Sequence, residues 1–283
     1  METRIGTHQV RRGDPVPGPA GTAARLLVLG DSHGDAGFIQ RALRAAAGEG
    51  CDGALQLGDF GLWPDLAFRK RTGQIRLGER YLDEVASYAS AYGMWLRFID
   101  GNHDAHPLVR ADYPELTDGT GIRPIRSGLL DWADRGSAWE WCGVRFGALG
   151  GAFSIDKARR TEGSSWWPTE TITQTELDRL ASRAPLDVLL THDAPAEVFV
   201  PGHRPLPPEL ESAARENRFM VSRAVAASKP TLLLHGHHHV AHRSAVDLGN
   251  GERTRVVGVA SNIELPPDNR GILTLPSLDY TAI

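Results

Sequence analysis

The sequence predicts an α/β fold built on a parallel, helix-covered sheet, and two observations carry that expectation. Short apolar runs at 26–29, 54–57 and 95–99 alternate with segments whose apolar residues recur at helical spacing. Those three runs, with two more at 188–190 and 232–234, each lead into a short island rich in Gly, Asp, Asn and His. Strands of a parallel sheet end on one edge, so side chains far apart in sequence converge there.

Residues 1–22 carry Gly13-Asp14-Pro15-Val16-Pro17-Gly18-Pro19 and few large apolar groups, which predicts a flexible leader ahead of one domain over 23–283. After the first strand, Phe38, Ile39, Ala42, Leu43 and Ala46 mark a helix that Asp35 is placed to cap. A second helix shows Tyr81, Val85, Tyr88, Ala89 and Tyr92, and the strand at 95–99 closes a β-α-β-α-β series. Between 107 and 170 the pattern changes to Pro, Gly and Trp, read as loops with strands of a second sheet, including runs at 139–146 and 148–151. Helices at 173–183 and 208–227 then alternate with strands at 187–191 and 231–235, with Pro207 and Pro208 opening the longer helix. Two further strands flank a turn at 266–269.

The 283 residues suffice for one large core. With 31 Lys+Arg against 35 Asp+Glu and no basic arm, the chain lacks the basic patch of a dedicated nucleic-acid binder. The two cysteines, Cys51 and Cys142, form no paired motif, which excludes a disulfide scaffold and suits a reducing cytoplasm. No run approaches membrane-spanning length, and the amino terminus lacks the apolar core of a signal peptide.

The islands read Gly30-Asp31-Ser32-His33-Gly34, Gly58-Asp59, Gly101-Asn102-His103-Asp104, Thr191-His192 and Gly236-His237-His238-His239. Asp31, His33, Asp59, Asn102, His192, His237 and His239 supply seven candidate metal ligands, too many for one tetrahedral site. Mixed nitrogen and oxygen ligation suits Zn, Fe or Mn better than Ca. Two cations roughly 3.5–4 Å apart share a carboxylate and clamp an in-line displacement at phosphorus, and Asp59 is the natural bridge. His238 is expected to point away from the metals, because side chains alternate along extended backbone. His235 is expected in the core, and His106, His203 and His242 as neighbours.

The ordered set resembles the calcineurin-like metallophosphoesterase superfamily, whose pattern is D-x-H, G-D, G-N-H-D/E, a lone H and G-H-x-H. The resemblance runs from about residue 25 to 260 and includes all five blocks. It implies a four-layer αββα sandwich, two mixed sheets packed face to face with helices outside. It implies two divalent metals, Mn foremost with Fe, Zn, Ni or Mg as others. Asp31, His33 and His239 would hold one, Asn102, His192 and His237 the other, and Asp59 would bridge them. A hydroxide between the metals would be the nucleophile, His103 would protonate the leaving alcohol, and Asp104 would orient the His103 ring.

The second block continues Phe60-Gly61-Leu62-Trp63 and lacks the Asp-Arg-Gly of the Ser/Thr protein phosphatase branch. The run Gly150 to Lys157, followed by Trp166-Trp167-Pro168, resembles small phosphoesterases of phages and actinobacteria. Arg159, Arg160, Trp166 and Trp167 are candidates for gripping phosphate and stacking a base, against an alternative in which the tryptophans cover the sheet edge. The expected substrate is a small phosphoester, first a phosphodiester such as a cyclic or short nucleotide. The alternatives are a phosphomonoesterase and a catalytically silent metal-binding scaffold.

Overall fold

The first apolar run is β1 (Ala24–Leu29), and its side chains alternate between two interiors. Leu26 and Val28 enter one apolar cluster while Leu27 and Leu29 enter another, because successive residues of a strand face opposite sides of a sheet. A strand buried on both faces needs a packed layer on each side, and that requirement generates a four-layer architecture.

In the computed structural model, which describes residues 13–202 and 205–283, α1 (Ala36–Gly48) begins as the sequence predicts. The Asp35 carboxylate accepts from the Phe38 N–H at 2.9 Å. β2 (Gly53–Gln56) and β3 (Leu96–Phe98) follow β1 in parallel. The intervening α3 (Arg80–Ala91), which succeeds the short α2 (Leu66–Thr72), shares the outer cluster with α1. After α4 (His106–Asp112), the hairpin of β4 (Ile122–Arg126) and β5 (Leu130–Ala133) pairs with β3. These two strands therefore extend the first sheet, where the sequence reading placed this region in the second.

The second sheet starts at β6 (Ser137–Trp141) and β7 (Val144–Leu149). Cys142 and Gly143 between them both adopt positive φ, 52° and 71°, so the run at 139–146 is a hairpin of two strands, not a single one. α5 (Gln174–Ala181), β8 (Val188–Thr191), α6 (Pro208–Ser228) and β9 (Leu232–His235) repeat the strand-helix alternation. β10 (His242–Gly249) and β11 (Glu252–Gly258) complete that sheet, and β12 (Arg270–Leu275) and β13 (Asp279–Ala282) return to the first.

The strand orders are β13-β12-β1-β2-β3-β5-β4 and β10-β11-β9-β8-β7-β6. Leu55, Phe146, Leu190 and Leu234 join Leu26 and Val28 between the sheets, whereas Leu189, Leu233 and the apolar face of α6 form the outer cluster of the second sheet. The fold is the αββα sandwich of the sequence reading. The parallel strands β1, β2 and β3 of one sheet and β8 and β9 of the other each lead into one ligand island, so the site is assembled from both sheets.

Residues 1–12 of the expected leader lie outside the described residues, as does His203. Within the described part of that leader, Val16 and Gly18 are buried while Asp14, Pro15 and Pro17 are exposed. Val16 is buried, and its N–H donates to the Asp131 carboxylate at 3.1 Å. Gly18 lies so close to the Trp141 indole that a Cβ would fall 2.2 Å from Nε1. Buried apolar contact and a buried acceptor offset the ordering cost that composition alone suggested would win. No helix among the described residues is long and apolar enough to cross a membrane.

Candidate metal centre

All seven predicted ligands lie at the edge shared by the two sheets. Asp31 Oδ2 is 3.0 Å from His239 Nε2 and 3.9 Å from His33 Nε2, and it is buried without a hydrogen bond. The Nε2 atoms of His33 and His239 face each other at 3.0 Å. The two oxygens of Asp59 diverge: Oδ1 lies 3.4 Å from His192 Nε2, and Oδ2 lies 3.8 Å from His33 Nδ1. His192 donates its Nδ1–H to the Leu57 carbonyl at 2.7 Å, which turns Nε2 toward Asp59 and toward Asn102 Oδ1 at 3.2 Å. His237 stands one ring further out, its centroid 5.0 Å from that of His192.

A buried carboxylate oxygen without a partner, imidazole nitrogens facing one another and a carboxylate with diverging oxygens form a donor set that fits divalent cations. Clusters of three ligand atoms within 4.8 Å of one another occur at Asp31, His33 and His239, at His33, Asp59 and His103, and at Asp31, Asp59 and His192. Against the penalty of burial, the neighbouring His192 and His103 hold the Asp59 carboxyl well below the usual carboxylate range. Burial likewise opposes a charge on His192, yet Asp59 and Asp31 lift it to about 10. Burial pushes His237 down to about 3, so its ring is a neutral donor.

The backbone gives up ordinary conformation to bring these groups together. His33, Asp59, His237 and His239 all have left-handed φ, at 44°, 49°, 65° and 55°, each at a cost of about 1–3 kcal/mol that surrounding packing must offset. A Cβ on Gly101 would fall 2.1 Å from Asp59 Oδ1, and one on Gly236 equally close to Asp31 Oδ1. Glycine is therefore required where the chain passes directly over a carboxylate ligand. Strand alternation does not set the direction of His238, which lines the same cleft as His237 and His239. The chain bends at 237–238 rather than running extended, and His238 Nε2 meets Asp193 at 3.0 Å. His235 is fully buried, with its ring bonded to Gly236 O and His242.

Two residues that the sequence reading left without a role hold Asn102. Its Nδ2 donates to Ser154 Oγ at 2.9 Å, Ser154 Oγ donates to Glu170 Oε2 at 2.5 Å, and Ser154 N–H donates to Glu170 Oε1 at 2.9 Å. With its amide nitrogen engaged, Asn102 presents its oxygen to the ligand cluster. Ser154→Ala is expected to weaken binding of one of two manganese ions by about 10- to 100-fold, seen as a split of the two steps in calorimetric titration, with unchanged circular dichroism.

Asp104 is placed differently from the expectation that it orients His103. Its carboxylate accepts from the N–H groups of Phe60, Gly61, Leu62 and Gly101 at 2.9–3.0 Å. All four donors belong to the loops that carry Asp59 and Asn102, so Asp104 ties those loops together. Asp104→Ala orphans four buried donors and is expected to lower the urea-unfolding free energy by about 3 kcal/mol or more. The ratio of turnover for good and poor leaving groups should stay at the wild-type value, as a ring-orienting role would not allow.

His103 is part-buried, with Nε2 3.9 Å from Asp59 Oδ2 and its backbone N–H donating to Asp59 Oδ1 at 2.8 Å. Beside its ring lies Arg160, whose Nη2 is 2.6 Å from Nε2. Asp156 holds that guanidinium through Nε at 2.8 Å and Nη2 at 2.9 Å. The other three substrate candidates do not converge with it. Arg159 is exposed, Trp167 is 5% exposed within the apolar cluster under α1 and α3, and Trp166 lines a separate cavity against α6. Trp167 thus covers the sheet, as the alternative reading held.

A four-layer α/β sandwich whose strand ends gather carboxylate and imidazole donors beside His103 is the architecture of a metal-dependent phosphoesterase, a hydrolase of ester bonds. The chain belongs to the calcineurin-like phosphoesterase family, whose model matches residues 24–241, and the family is dinuclear-metal dependent. The fold is similar to that of a protein from Thermus thermophilus, at 14% identity over 92% of this chain and 98% of that one, with a TM-score of 0.52. It is also similar to that of a dimetal phosphatase from Danio rerio, at 13% identity over 88% and 91%, with a TM-score of 0.53. Comparison with curated proteins finds no match.

Proposed function

We propose that this phosphoesterase hydrolyses phosphodiesters of cyclic or small nucleotides and works with two divalent cations, manganese first. The reading rests on the position of His103, where two clefts of about 410 Å³ each meet. One is lined by Asp59, Asn102, the histidines at 237–239, Phe153, Ile155 and Leu206. The other is lined by Trp63, Pro64, Leu66, Arg160, Ser164 and Ser165. His103 and Asp156 line both. A phosphoryl group at the junction has space for a substituent on each side, which suits a diester.

In this reading Asp31, His33 and His239 would hold one cation, Asn102, His192 and His237 would hold the other, and Asp59 would serve both. When bound, the cations lower the pKa of water and neutralise charge on the phosphoryl oxygens. The chain itself supplies orientation and a proton. Ser154 and Glu170 fix the amide of Asn102, and Asp104 fixes the loops. His103 stands at the cleft junction to protonate the leaving oxygen. Burial and the adjacent Arg160 disfavour the imidazolium when no anion is present. Two free thiols, Cys51 and Cys142, support a reducing, cytoplasmic setting.

Arg160 also supports a second reading, a phosphomonoesterase, because a dianionic monoester needs the greater compensation. Asp156 already pairs with that guanidinium, which favours the monoanionic diester. With manganese, kcat/KM for bis(4-nitrophenyl) phosphate is expected to exceed that for 4-nitrophenyl phosphate by about tenfold or more. A preference for the monoester would overturn the first reading.

A further inference from the structure

The cleft on the Arg160 side of His103 has walls of different chemistry. Trp63 is 45% exposed and Leu66 60% exposed, unusual for large apolar residues beside a polar centre. The Trp63 ring is built against the ligand turn: a Cβ on Gly34, the residue after His33, would fall 2.7 Å from it. Its backbone is pinned as well, since the Trp63 carbonyl accepts from the Gly78 N–H at 2.8 Å and Pro64 bridges to Leu77. The indole is thus presented by a fixed loop. Elsewhere the lining supplies the hydroxyls of Ser164 and Ser165, and where the cleft reaches the ligand site it offers His103 and Arg160, the latter paired with Asp156.

An aromatic face, two hydroxyls and a cation where the cleft opens to the metal centre suit a flat heterocycle that has polar edges and is tethered to a phosphate. An alkyl group would leave the hydroxyls unused, and a bare sugar phosphate would leave the indole unused. We propose that this cleft is a nucleobase subsite with Trp63 as its stacking platform, and that the leaving alcohol of the scissile phosphodiester is a nucleoside. The assignment rests on the phosphodiesterase reading and adds which side of phosphorus the nucleoside occupies. The candidate ligands Asp59, Asn102, His237 and His239 line only the other cleft, so an in-line displacement that starts among them expels the oxygen on this side, the one bonded to the nucleoside.

Calorimetric titration of the manganese-loaded protein with adenosine 5′-monophosphate and with ribose 5-phosphate tests the subsite. The nucleotide is expected to bind about tenfold or more tightly than the sugar phosphate, as base–indole stacking requires. Trp63→Ala should bring the two dissociation constants within about twofold, and Trp63→Phe should restore most of the difference. Equal affinities in the wild type, or a base preference that Trp63→Ala leaves intact, would overturn the subsite. The diester-to-monoester ratio is scored separately. A protein that prefers diesters but has no Trp63-dependent base preference loses the subsite alone, whereas a Trp63-dependent base preference in a monoesterase retains the subsite and loses the diester reading.

Discussion

Asp59→Asn is expected to remove both cations together and to lower turnover by about a thousandfold or more, because the groups that stabilise the phosphoryl charge depend on one carboxylate. Its oxygens face opposite ways, Oδ1 toward His192 and Oδ2 toward His33. An amide offers one neutral oxygen in place of two sharing a charge, so neither half of the site keeps a complete donor set. Elemental analysis after manganese loading and desalting should give well under one metal per chain, against two for the wild type. Circular dichroism should be unchanged, since the substitution preserves shape. Loss of only one cation, or activity near wild type, would remove Asp59 from the bridging position.

His103→Ala is expected to keep metal content and lose the leaving-group proton. Its link to Asp59 runs through the backbone N–H at 2.8 Å, which alanine retains. A ribose oxygen, as in 2′,3′-cyclic AMP, is a poor leaving group, and its release should slow by about 10²- to 10⁴-fold. Release of 4-nitrophenolate, which leaves without protonation, should slow by less than about tenfold. Because the imidazole also lies within ligand distance of His33 and Asp59, the metal assay separates the two roles. Equal losses for both substrates together with loss of a cation would make His103 a ligand.

The convergence of the candidate ligands was legible in the sequence because each island follows a buried strand, and glycine precedes Asp31, Asp59, Asn102 and His237. Those features are local. The residues that orient the ligands are not: Ser154 and Glu170 reach Asn102 from 52 and 68 positions away, and no short pattern joins them. Asp104 misled because it adjoins His103 in sequence, whereas its carboxylate turns to backbone donors more than 40 positions earlier. Trp63 carried no periodic signal that marked it as exposed. The hairpin of β4 and β5 was displaced to the wrong sheet because composition reports that strands exist without reporting what they pair with. The alternation argument for His238 assumed extended backbone, which the left-handed His237 and His239 rule out.

The ligand islands divide between the sheets, with Asp31, His33, Asp59 and Asn102 on one and His192, His237 and His239 on the other. A cation bound between them recognises the assembled sandwich and not either half. By mass action, every tenfold rise in free metal above the dissociation constant adds about 1.4 kcal/mol to folding stability for each cation bound. Metal supply then governs how long the protein persists as well as how fast it turns over, and a cell short of metal would lose the enzyme by attrition along with its activity.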